Sequence, residues 1–129
     1  MTSLGLDSGK IPYTVYMTTK SYIKESPKTL QKFTNAIYKG QIWVDKHTSR
    51  EIAEVIAPQF KENSIDEIEK IVDRYKQQET WIKTPIFQEE SLALVEEILK
   101  SSDKLSSPIP YEKFINTDFA KDAVEFIQQ

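Results

Sequence analysis

Cysteine is missing from the 129 residues of this chain. Its absence rules out disulfides, thiolate nucleophiles and thiolate metal sites, and leaves the redox compartment unreadable from sulfur. Histidine occurs once, at His47, so a metal site or an acid–base relay would need other partners of defined type around it. Arginine occurs only at Arg50 and Arg74. Bidentate readout of phosphate and guanine favours the guanidinium, so this scarcity weighs against nucleic acid as a partner. Glycine is scarce as well, with three in all. Two of them fall within Gly5-Leu6-Asp7-Ser8-Gly9-Lys10-Ile11. That spacing is one residue short of a phosphate loop, and Ile11 replaces the hydroxyl that would hold magnesium. Long hydrophobic runs are lacking too: no stretch approaches the roughly 20 apolar residues of a membrane span, and no signal-peptide pattern occurs. If the parent protein is exported, its signal is expected to lie outside this sequence.

What is present is a chain of 39% hydrophobic and 29% charged residues with a net charge of −3. That balance suits one domain of small helices with wet outer faces better than a thick two-layer core. Along the sequence the two signs look interspersed, with no basic stripe, so the electrostatic footprint of nucleic-acid binding is not expected.

The fold expected is mainly α, with about five helices and one N-terminal β-strand. Residues 13–17, rich in aromatic and β-branched types, read as the strand. No second strand of equal quality follows, and a lone strand leaves its backbone groups unpaired. The chain is therefore expected to be cut from a larger protein or completed by a second copy, with self-association through exchange of the strand. Ser26-Pro27 opens the first helix, with Ser26 as N-cap. Its apolar stripe, Leu30, Phe33, Ile37, Gly40 and Val44, runs to about Asp45, with Trp43 beside it. Gly40 within that stripe implies close approach of another element. Thr48-Ser49-Arg50-Glu51 and Ser64-Ile65-Asp66-Glu67 are capping boxes that start two more helices, the former stopped by Pro58 and the latter running to about Gln78. A fourth helix is expected from Glu89 to Ser101, a single turn from Tyr111 to Ile115, and a last helix from Asp118 with Phe119, Ala123, Val124 and Ile127 on one side.

No catalytic or metal-binding constellation emerges from these elements. His47 sits where a helix ends, and a histidine interacting with the helix C-terminus is the favoured reading. Glu89-Glu90 and Glu96-Glu97 are adjacent on a helix and point about 100° apart, so they do not converge on a substrate. Trp43 reads as core, while Trp81 in a loop leaves packing and ligand stacking both open.

The ordered set Ser3-Leu4-Gly5, Ser8-Gly9-Lys10-Ile11-Pro12-Tyr13-Thr14-Val15-Tyr16-Met17, Ser21-Tyr22-Ile23, Ser26-Pro27, Phe33-Thr34-Asn35-Ala36-Ile37, Trp43-Val44, Ile56-Ala57-Pro58-Gln59-Phe60, Arg74-Tyr75-Lys76, Trp81, Pro85-Ile86 and Pro110-Tyr111 with Phe119-Ala120 resembles a known family. It is similar to the C-terminal part of extracytoplasmic solute-binding proteins of ABC importers. The subgroup is the nitrate, sulfonate, taurine and thiamine-pyrimidine-precursor type, of the type II periplasmic-binding-protein fold. Gln88 departs from the pattern, standing where such chains place a Ser-type helix cap.

The resemblance implies a fragment of one α/β lobe. Residues 1–25 would form the crossover turn and strand, and residues 26–129 the lobe's C-terminal helices. It further implies non-covalent recognition of a small anionic or heteroaromatic solute, delivery to an ABC permease, and an extracytoplasmic location, with no cofactor and no enzymatic activity. Ser8, Gly9 and Tyr13 are the residues it brings to the cleft wall, against the alternative of a turn serine, a turn glycine and a packed strand tyrosine. A rival reading is a helical interaction or regulatory module that recruits a partner through an exposed strand edge.

Overall fold

Thr19 stands at the start of the helical part of the chain. Its hydroxyl accepts from the Tyr22 amide at 3.1 Å and caps α1, Lys20–Glu25. The computed structural model describes residues 11–12 and 14–127. After α1 come α2 (Pro27–Lys46), α3 (Ser49–Ile56), α4 (Ile65–Gln77), α5 (Glu89–Ser101), the single turn α6 (Tyr111–Phe114) and α7 (Asp118–Ile127).

The mainly helical expectation holds, but the N-terminal strand does not. Residues 14–17 belong to no sheet, and no β-strand occurs among the described residues. The physical reason is the missing neighbour: a strand is defined by its pairing, and no paired partner strand occurs among the described residues. Side-chain packing replaces the pairing, with the Tyr16 ring meeting Phe33 edge-on at 4.9 Å and 82°. The exposed strand edge needed by the interaction-module reading is thus absent from the described residues.

Two sets of helices share α2. Along one part of its length α2 packs on α7, where the Gln31 side chain donates to the Phe119 carbonyl at 3.0 Å. At its C-terminal end, Trp43 and Val44 rest against the hairpin of α3 and α4. The hairpin core is Ile52 and Ala53 from α3 with Ile68 and Val72 from α4, all buried. Both capping boxes form as their sequences require. Thr48 and Ser64 accept from the amides of Glu51 and Glu67, whose carboxylates each return to the cap amide at 2.8 Å. Pro58 ends α3 at Ile56 and passes the chain through a 3₁₀ turn, Ala57–Gln59.

Three local expectations need correction. Ser26 occupies the N-cap position of α2 but makes no side-chain cap hydrogen bond. The buried face of α2 is centred differently: Tyr38 is buried, whereas Phe33 is exposed at the edge of the stripe. Gly40 has no close neighbour either, since a Cβ built there meets nothing within 4 Å.

Candidate functional site

A grouping of polar and aromatic side chains lies where α2 ends. The last carbonyls of a helix have no partner within it, and here other groups supply partners. His47 takes an extended backbone conformation as C-cap, and its amide donates to the Trp43 carbonyl at 3.1 Å. The His47 ring stacks on the Trp43 indole, centroids 4.2 Å apart and planes 23° apart. Its Nδ1 lies 2.7 Å from that same carbonyl oxygen, so Nδ1 carries the proton and donates. From α4, the Lys76 ammonium donates to the carbonyls of Val44 and His47. A cation at a helix C-terminus also meets the negative end of the helix dipole.

This arrangement is a clamp rather than a relay. The neighbouring carboxylate, Glu51, is committed to its capping box. Hydrogen bonds from the Thr48 amide and then the Thr48 hydroxyl hold its carboxyl below the usual range, with smaller help from the charges of His47 and Lys76. Asp45 is paired outward with Lys83 at 3.3 Å. The expectation that His47 serves the helix C-terminus is thus met in geometry, and the ring is half-buried against Trp43 rather than free at the surface. Trp81, left open by its loop position, packs on Tyr75 with ring centroids 5.4 Å apart.

Away from the clamp, Arg50 on α3 reaches Glu54, Asp66 and Glu69 and bridges to α4. The hydrogen bonds it donates, to Asp66 first and then to Glu69 and Glu54, push its guanidinium further above its already high range. The Tyr111 hydroxyl donates to the Phe87 carbonyl. Burial first, and then Glu89, Glu90 and Glu112, push its pKa up. Glu96 on α5 accepts from the Ile109 amide at 2.8 Å. No grouping of three or more His, Cys, Asp or Glu able to hold a metal ion occurs among the described residues.

Ser8, Gly9 and Tyr13 lie outside the described residues. Next to them in sequence, Met17, Thr18, Thr19 and Tyr22 border a shallow, open surface depression. Sequence reading missed two features on this side and on α2. One is the Lys76 clamp, which joins residues about thirty apart and has no local signal. The other is a lysine ridge. At 3.6 residues per turn, Lys28, Lys32, Lys39 and Lys46 fall within roughly 40° of one another on α2, and all four are exposed. Charges that look interspersed along the chain are therefore sorted on this helix, and helical periodicity was the signal that finds it.

Comparison with known proteins gives one informative relative. The chain is 37% identical over 119 residues to the protein named "Putative binding protein YtlA" of Bacillus subtilis (strain 168). The alignment takes in 92% of this chain and 36% of the relative, so the chain spans about a third of that protein's length. No protein-family model matches the chain, and no solved structure matches it. No helix among the described residues is long and apolar enough to cross a membrane.

Proposed function

We propose that this chain is part of a binding protein, the substrate-recognition subunit of an ABC importer. The observation that carries this reading is the 37% identity, over nearly the whole chain, to a protein named as a binding protein. The ordered residue pattern from Ser8-Gly9-Lys10 to Phe119-Ala120 supports the finer assignment to the nitrate, sulfonate and thiamine-precursor group. On this reading the parent protein holds a small anionic or heteroaromatic solute without covalent chemistry. It closes around that solute and presents it to a membrane permease from an extracytoplasmic location. This part acts as scaffold: its polar cluster around His47 and Lys76 closes a helix end rather than offering free groups to a ligand. The proposal includes the absence of enzymatic activity, since His47 is the single histidine and no cysteine is available as nucleophile.

Calorimetric titration of the full-length protein tests this reading, with nitrate, an alkylsulfonate and an aminopyrimidine as titrants. Saturable one-to-one binding of one of them is expected, with a rise in unfolding temperature. At a ligand concentration a hundred times Kd, linkage adds about 2.7 kcal/mol to stability. Absence of binding to all three classes would overturn the importer assignment. Turnover of any of them that disappears on His47→Ala would overturn the non-enzymatic reading.

A further inference from the structure

The N-terminal part of the described chain carries an excess of positive charge. Between residues 14 and 46 stand Lys20, Lys24, Lys28, Lys32, Lys39 and Lys46 against Glu25 and Asp45. That is +4 in a chain of net −3, and with Asp7 and Lys10 cancelling, the chain beyond residue 46 carries −7. The six lysines are exposed, and none enters an ion pair or side-chain hydrogen bond among the described residues. Four of them form the α2 ridge, about 27 Å from Lys28 to Lys46 at 1.5 Å per residue. The other two flank Tyr22 on α1 and border an apolar edge. There Met17 is 84% exposed and Tyr16 74% exposed, and Tyr16 is anchored by its ring contact with Phe33, next to Lys32. Gly40 is exposed, and a Cβ built there meets nothing within 4 Å among the described residues, so the helix surface is low at this point.

We propose that this face, the lysine ridge of α2 with the Tyr16 and Met17 edge, seats the protein on an anionic lipid surface. Three observations favour lipid over other anionic partners. The cations are all lysines, whose point charges suit a diffuse headgroup layer, while Arg50 and Arg74, the residues suited to bidentate phosphate readout, stand elsewhere on α3 and α4. The described face is open, with a shallow depression beside Met17 and Tyr22, which fits a plane better than a peptide. An unbranched thioether and a phenol projecting among cations match the boundary between headgroups and acyl chains, where an apolar stem is buried and a polar tip stays wet.

Co-sedimentation with lipid vesicles tests the proposal. The intact chain is expected to pellet with vesicles rich in phosphatidylglycerol, to stay in solution with phosphatidylcholine alone, and to be released by added salt. Each lysine near such a surface contributes about 1 kcal/mol, so the double substitution Lys32→Gln and Lys39→Gln should weaken partitioning about thirtyfold. The equal charge change at Lys61, in the turn before α4, and Lys70, on α4, should leave it unchanged. Met17→Ser should weaken it about tenfold while preserving the salt dependence. Both target lysines are exposed, and circular dichroism confirms that the variants fold. Equal partitioning into both vesicle types overturns the proposal, as does indifference to the Lys32 and Lys39 pair. So does retention by duplex DNA or polyglutamate at salt concentrations where the anionic vesicles retain nothing.

Discussion

Gly40 shows how one residue's role depends on what surrounds it. Inside a helix a glycine costs about 1 kcal/mol relative to alanine, and close packing by a neighbour is the usual compensation. Here an added Cβ meets nothing within 4 Å. Gly40→Ala should therefore stabilise the isolated chain by about 1 kcal/mol, read as a shift of the urea midpoint without change of slope. Asp103 offers a second case of local conformation deciding the sign. It ends α5 with φ of 54°, and the Lys104 amide beyond it returns to the Leu99 carbonyl at 2.8 Å. That left-handed position suits glycine, so Asp103→Gly should gain about 0.5–1 kcal/mol in the same assay. Lys76 works in the opposite direction. Replacing it with methionine keeps the stem but withdraws both donors from the end of α2, and should cost about 1–2 kcal/mol. Neither the Gly40 environment nor the Lys76 contacts can be read from neighbours in the sequence. Each depends on whether another element arrives, whereas the Thr48 and Ser64 capping boxes close within four residues and were legible outright.

At the scale of elements, that locality separates what the sequence discloses from what it conceals. α3, α4, α5 and α7 each carry a cap, an acidic first turn or a proline boundary close at hand. α1 is six residues long and rests on a single Thr19 cap, too little for periodicity to register. The strand expected over residues 13–17 had the right residue types, but pairing is a property of two segments, and no second one stands beside it among the described residues. The best-defined packing is between α3 and α4, and its energetics follow from burial. Ile52 is 2% exposed in the hairpin core, so Ile52→Ala should destabilise by about 2–5 kcal/mol through lost burial and the cavity left behind. The same hairpin carries a pH dependence. The carboxyls of Glu51 and Glu67 are held below their ordinary value of 4.5 by the cap amides and hydroxyls of Thr48 and Ser64. A carboxylate with a depressed folded pKa contributes stability that is present above the unfolded value and lost as pH falls through the folded one. Acid unfolding followed by circular dichroism should therefore show stability declining below about pH 4.5. In the Glu51→Gln, Glu67→Gln variant that decline should be shallower.

Across the whole molecule, packing is uneven. α2 is the common support, joined to α7 on one side and held at its C-terminus by the α3–α4 hairpin and Lys76. α5 stands apart from both pairings: Leu92 is its one buried residue, and Ile98 and Leu99 are exposed. Its cap, Gln88, makes no side-chain hydrogen bond to the helix. The ties around it that reach across the chain include the Tyr111 hydroxyl on Phe87 and the Ile109 amide on Glu96. A helix with little buried apolar surface has little to lose on opening, so its opening free energy lies well below that of global unfolding. Native-state hydrogen exchange should resolve this as two classes of amide. Those of α3, α4 and the middle of α2 should exchange through global opening, and those of Glu89–Ser101 through a sub-global opening with weaker dependence on denaturant. Tyr111→Phe removes the hydroxyl tie to Phe87 while keeping the ring. It should accelerate exchange in α5 and leave the rates around Ile52, Ile68 and Val72 unchanged. Uniform protection across all these helices would mean instead that α5 belongs to the same cooperative unit as the hairpin, held there by contacts of its half-buried face, Leu94 and Val95 included, rather than by its two polar ties.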